Sequence, residues 1–160
     1  MPYEENMRER DDFFNTLYTD FINDEKIYVL YADIGCQGLD QFRNHHRCIN
    51  VGIAEQNMIA IASGLALDGN RVYCFTIQAF YLRAIEQIKV LVNQLILPIF
   101  LIGCGKDDYY KNEGFTHIVF EDKVIISRYA NIKIWDGGDI KKLIEETLVA
   151  KTPYYIRLSN

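Results

Sequence analysis

Glu55 stands where a carboxylate is hard to accommodate. It opens the stretch "EQNMIAIASGLALDGN", in which Met58, Ile59, Ile61, Ala62, Leu65 and Leu67 make a helix that is apolar around most of its circumference. Such a helix is normally buried. A carboxyl group at its mouth is costly unless something pairs with it, although a glutamate in a first helical turn also gains from the helix dipole. Other residues in loops offer chemistry as well. His117, in "EGFTH", carries an imidazole able to move protons near neutral pH, though a lone loop histidine is usually a solvated bystander. Phe80 and Arg83 share "QAFYLRA". An aromatic at a helix start is commonly a core residue, and Arg83 could pair with Glu86, three residues on along the same helical face. Asp33 and Ile34, in "ADIG", read as a strand-end carboxylate and its apolar neighbour.

Several chemistries lack their signature. No GxGxxG or GxxxxGK[ST] phosphate cradle occurs, and no Gly-x-Ser-x-Gly nucleophile elbow. "DGGD" (Asp136 to Asp139) looks like a metal-diphosphate motif but has no following Asn, and reads better as the turn capping the helix from Ile140. The four cysteines, Cys36, Cys48, Cys74 and Cys104, form no CxxC pair. Cys48 lies near His45 and His46, yet no second cluster completes a metal site, so no metal ligand is assigned to this chain. Free thiols in a reducing compartment are expected. A formal net charge of -5 argues against a nucleic-acid surface. The start "MPYEENMRERDDFF" is charged, and no apolar run reaches the roughly eighteen residues of a membrane span. A cytoplasmic protein is expected.

The elements that must position these residues alternate in period. Met7 to Asn23 is an amphipathic N-terminal helical segment within residues 1–23, with Phe13, Phe14, Leu17, Tyr18 and Phe21 at helical spacing. "KIYVLYADI" (Lys26 to Ile34) is a buried strand, and the apolar helix after Glu55 stops at Asp68-Gly69-Asn70. Strand Arg71–Ile77, helix Phe80–Leu95 and strand Leu97–Gly103 follow. A short helix around Glu121 to Ser127, strand "IKIWDGG", helix Asp139–Lys151 and closing strand "PYYIRLS" complete the chain. Strands separated by helices imply parallel pairing with right-handed crossovers. The expectation is a single α/β domain over residues 1–160, three-layer α/β/α around a mainly parallel open sheet. Such sheets bind ligands in the loops at the carboxyl ends of their strands, where Asp33, Glu55, Phe80 and His117 fall.

"NVGIAEQNMIAIASGLALDGNRVYCFTIQAFYLRAIEQI" resembles the pyrimidine-binding domain of the transketolase group of thiamine-diphosphate enzymes. That group includes 1-deoxyxylulose-5-phosphate synthases and the beta subunits of 2-oxo acid dehydrogenases. The resemblance extends through "LYADIG", "EGFTHIVFED" and "TPYYIRLS", roughly Asp24 to Ser159. It implies that Glu55 is the activating glutamate, which hydrogen-bonds N1′ of the aminopyrimidine and favours its imino tautomer. It implies that Phe80 stacks on that ring, that Asp33 and Ile34 approach the cofactor, and that Arg83 faces the active site. His117 matches the histidine of the "DGPTH" loop, which contacts substrate. Glu113 stands where the family often has Asp, one methylene longer.

The departures carry information too. Relatives commonly end this domain "IRLSR", the last arginine holding a substrate phosphate; here Asn160 stands in that place, removing a charge-assisted contact. The resemblance also places the diphosphate and its metal, Mg2+ or Ca2+, on a separate domain. It therefore implies a split enzyme of two such chains with two diphosphate-binding subunits around a two-fold axis, moving a two-carbon ketol unit between sugars. A 2-oxo acid decarboxylating subunit and a non-catalytic regulatory or scaffolding domain stay open as alternatives.

Overall fold

Buried side chains alternate along the central strands, and the alternation sorts them into two cores. In the computed structural model, which describes residues 8–159, β1 (Ile27–Tyr31), β3 (Arg71–Ile77) and β4 (Ile99–Cys104) lie side by side. Val29, Tyr31, Tyr73, Phe75, Phe100 and Ile102 point to one face, and Leu30, Val72, Cys74, Ile99 and Leu101 to the other. That is the period-two signature of strands covered on both sides. The first face packs against α1 (Glu9–Asn23) through Phe13, Phe14, Leu17 and Phe21, and against α6 (Ile140–Val149) through Leu143 and Ile144. The second packs against α3 (Glu55–Leu67) through Met58, Ile59, Ala62 and Ala66.

The remaining strands are β2 (Cys48–Asn50), β5 (Lys133–Trp135) and β6 (Tyr154–Leu158). Among the described residues the sheet has six strands in the order β2-β1-β3-β4-β6-β5, every pairing parallel. The expected "mainly parallel" sheet is thus wholly so. A three-residue strand such as β2 carries too little pattern to be read from sequence. The strand expected to run to Ile34 leaves the sheet after Tyr31, because Asp33 takes a positive φ of 47°. The short α2 (Gln37–Asp40) then leads towards β2, and the part of the N-terminal segment from Met1 to Met7 lies outside the described residues.

The helix expected over Phe80 to Leu95 is three pieces. A 3-10 stretch (Gln78–Ala84) passes into one α-turn, α4 (Ile85–Gln87), and then a π-helical turn (Ile88–Asn93). Tyr81 explains the tight start: its buried hydroxyl shares its one proton between the carbonyls of Cys74 (2.6 Å) and Ile102 (3.1 Å), tying the segment down onto β3 and β4. Irregular helix of this kind recurs at functional sites. The turns Lys111–Glu113 and Phe115–His117 and the short α5 (Asp122–Ile126) follow β4. The "DGGD" turn caps α6 as expected, with the Asp139 carboxylate accepting from the Lys142 backbone N–H. All four cysteines are free.

Candidate functional site

Because every strand runs the same way, the segments that follow them open on one edge of the sheet. β1 delivers Asp33 and Ile34, β2 the loop into Glu55, β3 the segment holding Phe80 and Arg83, and β4 the loop that carries His117. Four strands far apart in sequence thus converge on one place.

Glu55 is the first residue of α3 and is 3% exposed. Its carboxylate does not cap the helix. Instead Oε1 accepts from Nη1 of Arg83 at 2.9 Å, so the ion pair suggested by sequence between Arg83 and Glu86 is not the one described. Arg83 is 46% exposed. Its guanidinium carbon lies 3.8 Å from the centroid of the Phe80 ring, a cation–π contact. Gln56, next along α3, donates its side-chain amide to the Arg83 carbonyl at 2.9 Å, so the two segments are laced together by backbone as well as by charge.

Two cavities meet here. One, of about 310 Å3, is lined by Ala32, Asp33, Ile34, Ile53, Thr76, Ile77, Phe80, Arg83 and His117. The other, of about 430 Å3, is lined by Ile53, Ala54, Glu55, Gln56, Asn57 and Arg83. Ile53 and Arg83 form their shared wall, and both volumes suit a small-molecule ligand. The His117 ring meets Phe80 edge to face, centroids 5.0 Å apart, and its Nδ1 lies 3.1 Å from the Thr116 hydroxyl.

Asp33 is held by a residue whose role the sequence reading missed. Its backbone N–H donates to Asn50 Oδ1 (3.1 Å), and Asn50 Nδ2 donates to Asp33 Oδ1 (3.0 Å). The same Asn50 oxygen accepts from Gly52 N–H (2.9 Å). A non-glycine residue at positive φ costs about 1–3 kcal/mol, and these bonds hold that conformation while fixing the loop into Glu55. The signal was present: Asn two residues before Gly, in "NVG", is an Asx-turn pattern. Thr76, also missed, looks in sequence like any β-branched strand residue.

The structure does not bring every candidate together. Glu113 is exposed on the turn Lys111–Glu113 and lines neither cavity. Asn160 lies outside the described residues. The thiols stay out of the chemistry, since burial pushes Cys48 up to about 11 and Cys36 up to about 12, far from thiolate at neutral pH.

An all-parallel α/β domain with a buried carboxylate, an aromatic face and a histidine around strand-end cavities has the size and lining that suit a small-molecule ligand. The comparison with known proteins narrows this. Residues 17–160 match the family "Transketolase, pyrimidine binding domain", and the chain belongs to that family. It is 28% identical to the 6-deoxy-6-sulfo-D-fructose transketolase subunit SqwH of Clostridium sp. (strain MSTE9), over 98% of this chain and 52% of that protein. It is 33% identical to an apulose-4-phosphate transketolase subunit of Actinobacillus succinogenes, over 70% of this chain and 37% of that one. Among solved structures, a split-gene transketolase described as an inactive β4 tetramer superposes with a TM-score of 0.82 at 24% identity, covering 96% of this chain and 51% of that one. The chain spans about half the length of SqwH and of the split-gene chain, and less of the apulose-4-phosphate relative. Among the described residues no helix is long and apolar enough to cross a membrane.

Proposed function

We propose that this chain is the pyrimidine-binding subunit of a thiamine-diphosphate-dependent, transketolase-like enzyme that moves a two-carbon ketol unit between sugars. A separate subunit supplies the diphosphate and Mg2+ or Ca2+ ligands, in an assembly of two plus two in the cytoplasm. The observation that carries the reading is Glu55: a buried carboxylate whose one ion pair among the described residues is with a half-exposed arginine that lies over the Phe80 ring. The relatives named as transketolase subunits support the same reading.

The residues fit an aminopyrimidine. Phe80 offers a flat face, Glu55 an acceptor for a protonated ring nitrogen, and Thr76, which borders the cavity, a buried hydroxyl without a partner among the described residues. When bound, the cofactor would supply a nucleophilic carbon for chemistry at a sugar carbonyl. This chain's part is to prepare and protect that chemistry. Glu55 accepts the hydrogen bond of N1′ and stabilises the protonated form of the ring, an effect largest in a dry, preorganised site. Arg83 covers both Glu55 and the Phe80 face in the free chain, so it moves aside as the ring enters. His117, touching Phe80, would move protons at the substrate's oxygen atoms, and Asp33 and Ile34 would line the cavity that receives the cofactor. Ile53 (73% exposed) and Phe115 (90% exposed) are apolar and bare beside the site, where a partner subunit would cover them and exclude water. A substrate contact for Glu113 and Asn160 rests on the family resemblance alone, and Asn160 in place of a phosphate-gripping arginine points to reduced dependence on a phosphorylated sugar.

Calorimetry tests the split site. The chain alone, with thiamine diphosphate and magnesium, binds weakly, and a co-expressed diphosphate-binding subunit restores tight binding together with ketol transfer. Sub-micromolar binding by the chain alone overturns the split.

A further inference from the structure

Thr76 lies on β3 with Gly103 of β4 as its neighbour in register. It is fully buried, it lines the cavity between Asp33 and Phe80, and its hydroxyl has no hydrogen-bond partner among the described residues. The other polar side chains of that wall are engaged: Asp33 with Asn50, Arg83 with Glu55, and His117 with Thr116. Gln78, two residues on, also leaves an oxygen without a partner, but its amide donates to Asp122 and it does not line the cavity. Buried hydroxyls are nearly always satisfied, and one left without a partner in a residue that borders a cavity calls for an explanation. Valine has the same shape and would fill the strand position with no such penalty.

We infer that the Thr76 hydroxyl is a binding group for the heteroaromatic ring that Phe80 and Glu55 receive, hydrogen-bonding a nitrogen on the ring's polar edge; this rests on the reading of the pocket given above. An aminopyrimidine presents both ring nitrogens that accept and an amine that donates, and a hydroxyl can serve either. Glu55 engages one nitrogen, and Thr76 adds a second polar contact from the sheet, fixing the ring's rotation in its own plane. A ring lacking nitrogen at that edge leaves the hydroxyl bare and is rejected.

The role predicts opposite effects on the empty and the filled protein, which a merely structural threonine does not show. Thermal unfolding and NMR titration with thiamine, which lacks the diphosphate held elsewhere, are run on the native chain, Thr76→Val, Thr76→Ser and Glu55→Gln. Thr76→Val is expected to raise the melting temperature of the free chain by about 2–4 °C while raising the Kd for thiamine about 3- to 10-fold. Thr76→Ser keeps the native Kd. If Thr76→Val leaves thiamine binding unchanged while Glu55→Gln weakens it, the pocket stands and Thr76 is not part of it. A lower melting temperature for Thr76→Val, with weaker binding in both Thr76 variants, makes the hydroxyl structural and overturns the inference. If the native chain shows no thiamine binding at millimolar concentration, or neither Thr76→Val nor Glu55→Gln alters it, the inference falls together with the reading of the pocket.

Discussion

Two buried carboxylates, Asp122 and Glu55, sit on the same side of the sheet in very different company. Asp122 is completely buried and saturated: its carboxylate accepts from Gln78 Nε2 (3.1 Å), the Tyr155 hydroxyl (3.1 Å) and Arg157 Nε (2.9 Å). Arg157, itself 5% exposed, also donates to Asp107 (2.7 Å) and Asp136 (3.0 Å). Its three acidic partners hold its pKa above the ordinary arginine value even though burial pulls the other way. Glu55, almost as deeply buried, accepts one side-chain bond among the described residues, from an arginine that is half in solvent. A carboxylate surrounded by fixed partners is part of the scaffold. One left with a single half-exposed partner among the described residues has acceptor capacity to spare, and the proposed ligand would use it.

The largest test of this contrast is on stability. Asp122→Ala removes the centre of the network and leaves the buried Arg157 undercompensated, which costs about 3–5 kcal/mol. Urea unfolding should show the midpoint fall accordingly. Glu55→Gln keeps the side chain's shape and one acceptor oxygen, and its ion pair is half exposed, so its cost stays within about 1 kcal/mol. Equal losses for the two variants would break the comparison.

On activity the order reverses. In the proposed complex with a diphosphate-binding subunit, Glu55→Gln should lower turnover by about 100-fold or more, since glutamine cannot stabilise a protonated ring nitrogen. Near-normal turnover with the cofactor bound would return Glu55 to a helix-terminus role. Arg83→Met is the smaller counterpart. It strips the cation from Phe80 and Glu55 while keeping much of the side chain's length, and unfolding stability should move by no more than about 1 kcal/mol. If Arg83 merely guards the empty site, the variant's cofactor association rate rises; a slower rate makes Arg83 part of the recognition itself.

The same contrast separates what could be read from sequence from what could not. The apolar helix behind Glu55, the long strands and the capped turn before Ile140 were legible, because burial writes a period into the chain. The position of Glu55 as an anomaly was legible for the same reason: it violates the pattern around it. Its partner was not. Arg83 lies 28 residues away, and local spacing offered Glu86 instead, since a helical pattern cannot announce that a segment is 3-10. Asn50 and Thr76 stayed hidden because their roles depend on neighbours in space. A threonine in a strand is unremarkable until its hydroxyl is found without a partner. Asp122 and Arg157, too, belong to one network only once β6 lies beside β4.

The smallest effect concerns acid. Burial pushes the Asp136 carboxyl up, but the Lys123 hydrogen bond and the charges of Arg157 and Lys106 outweigh it, so its pKa lies below the ordinary 3.8. A carboxylate held below its unfolded value contributes stability that is fully present above that value. The contribution disappears as pH falls through the lower native pKa. Since Asp136 shares Arg157 with Asp122, protonating it loosens the scaffold network from its outer side, leaving Glu55 and Arg83 untouched. Unfolding free energy followed by urea titration should therefore hold level down to about pH 4 as far as this group is concerned, then decline. Asp136→Asn should flatten that decline while lowering stability at neutral pH by about 1 kcal/mol or less, because Lys123 is exposed and Arg157 keeps its other partners. A variant with the native acid profile would mean that the outer carboxylate is a bystander and that Asp122 and Asp107 hold Arg157 by themselves.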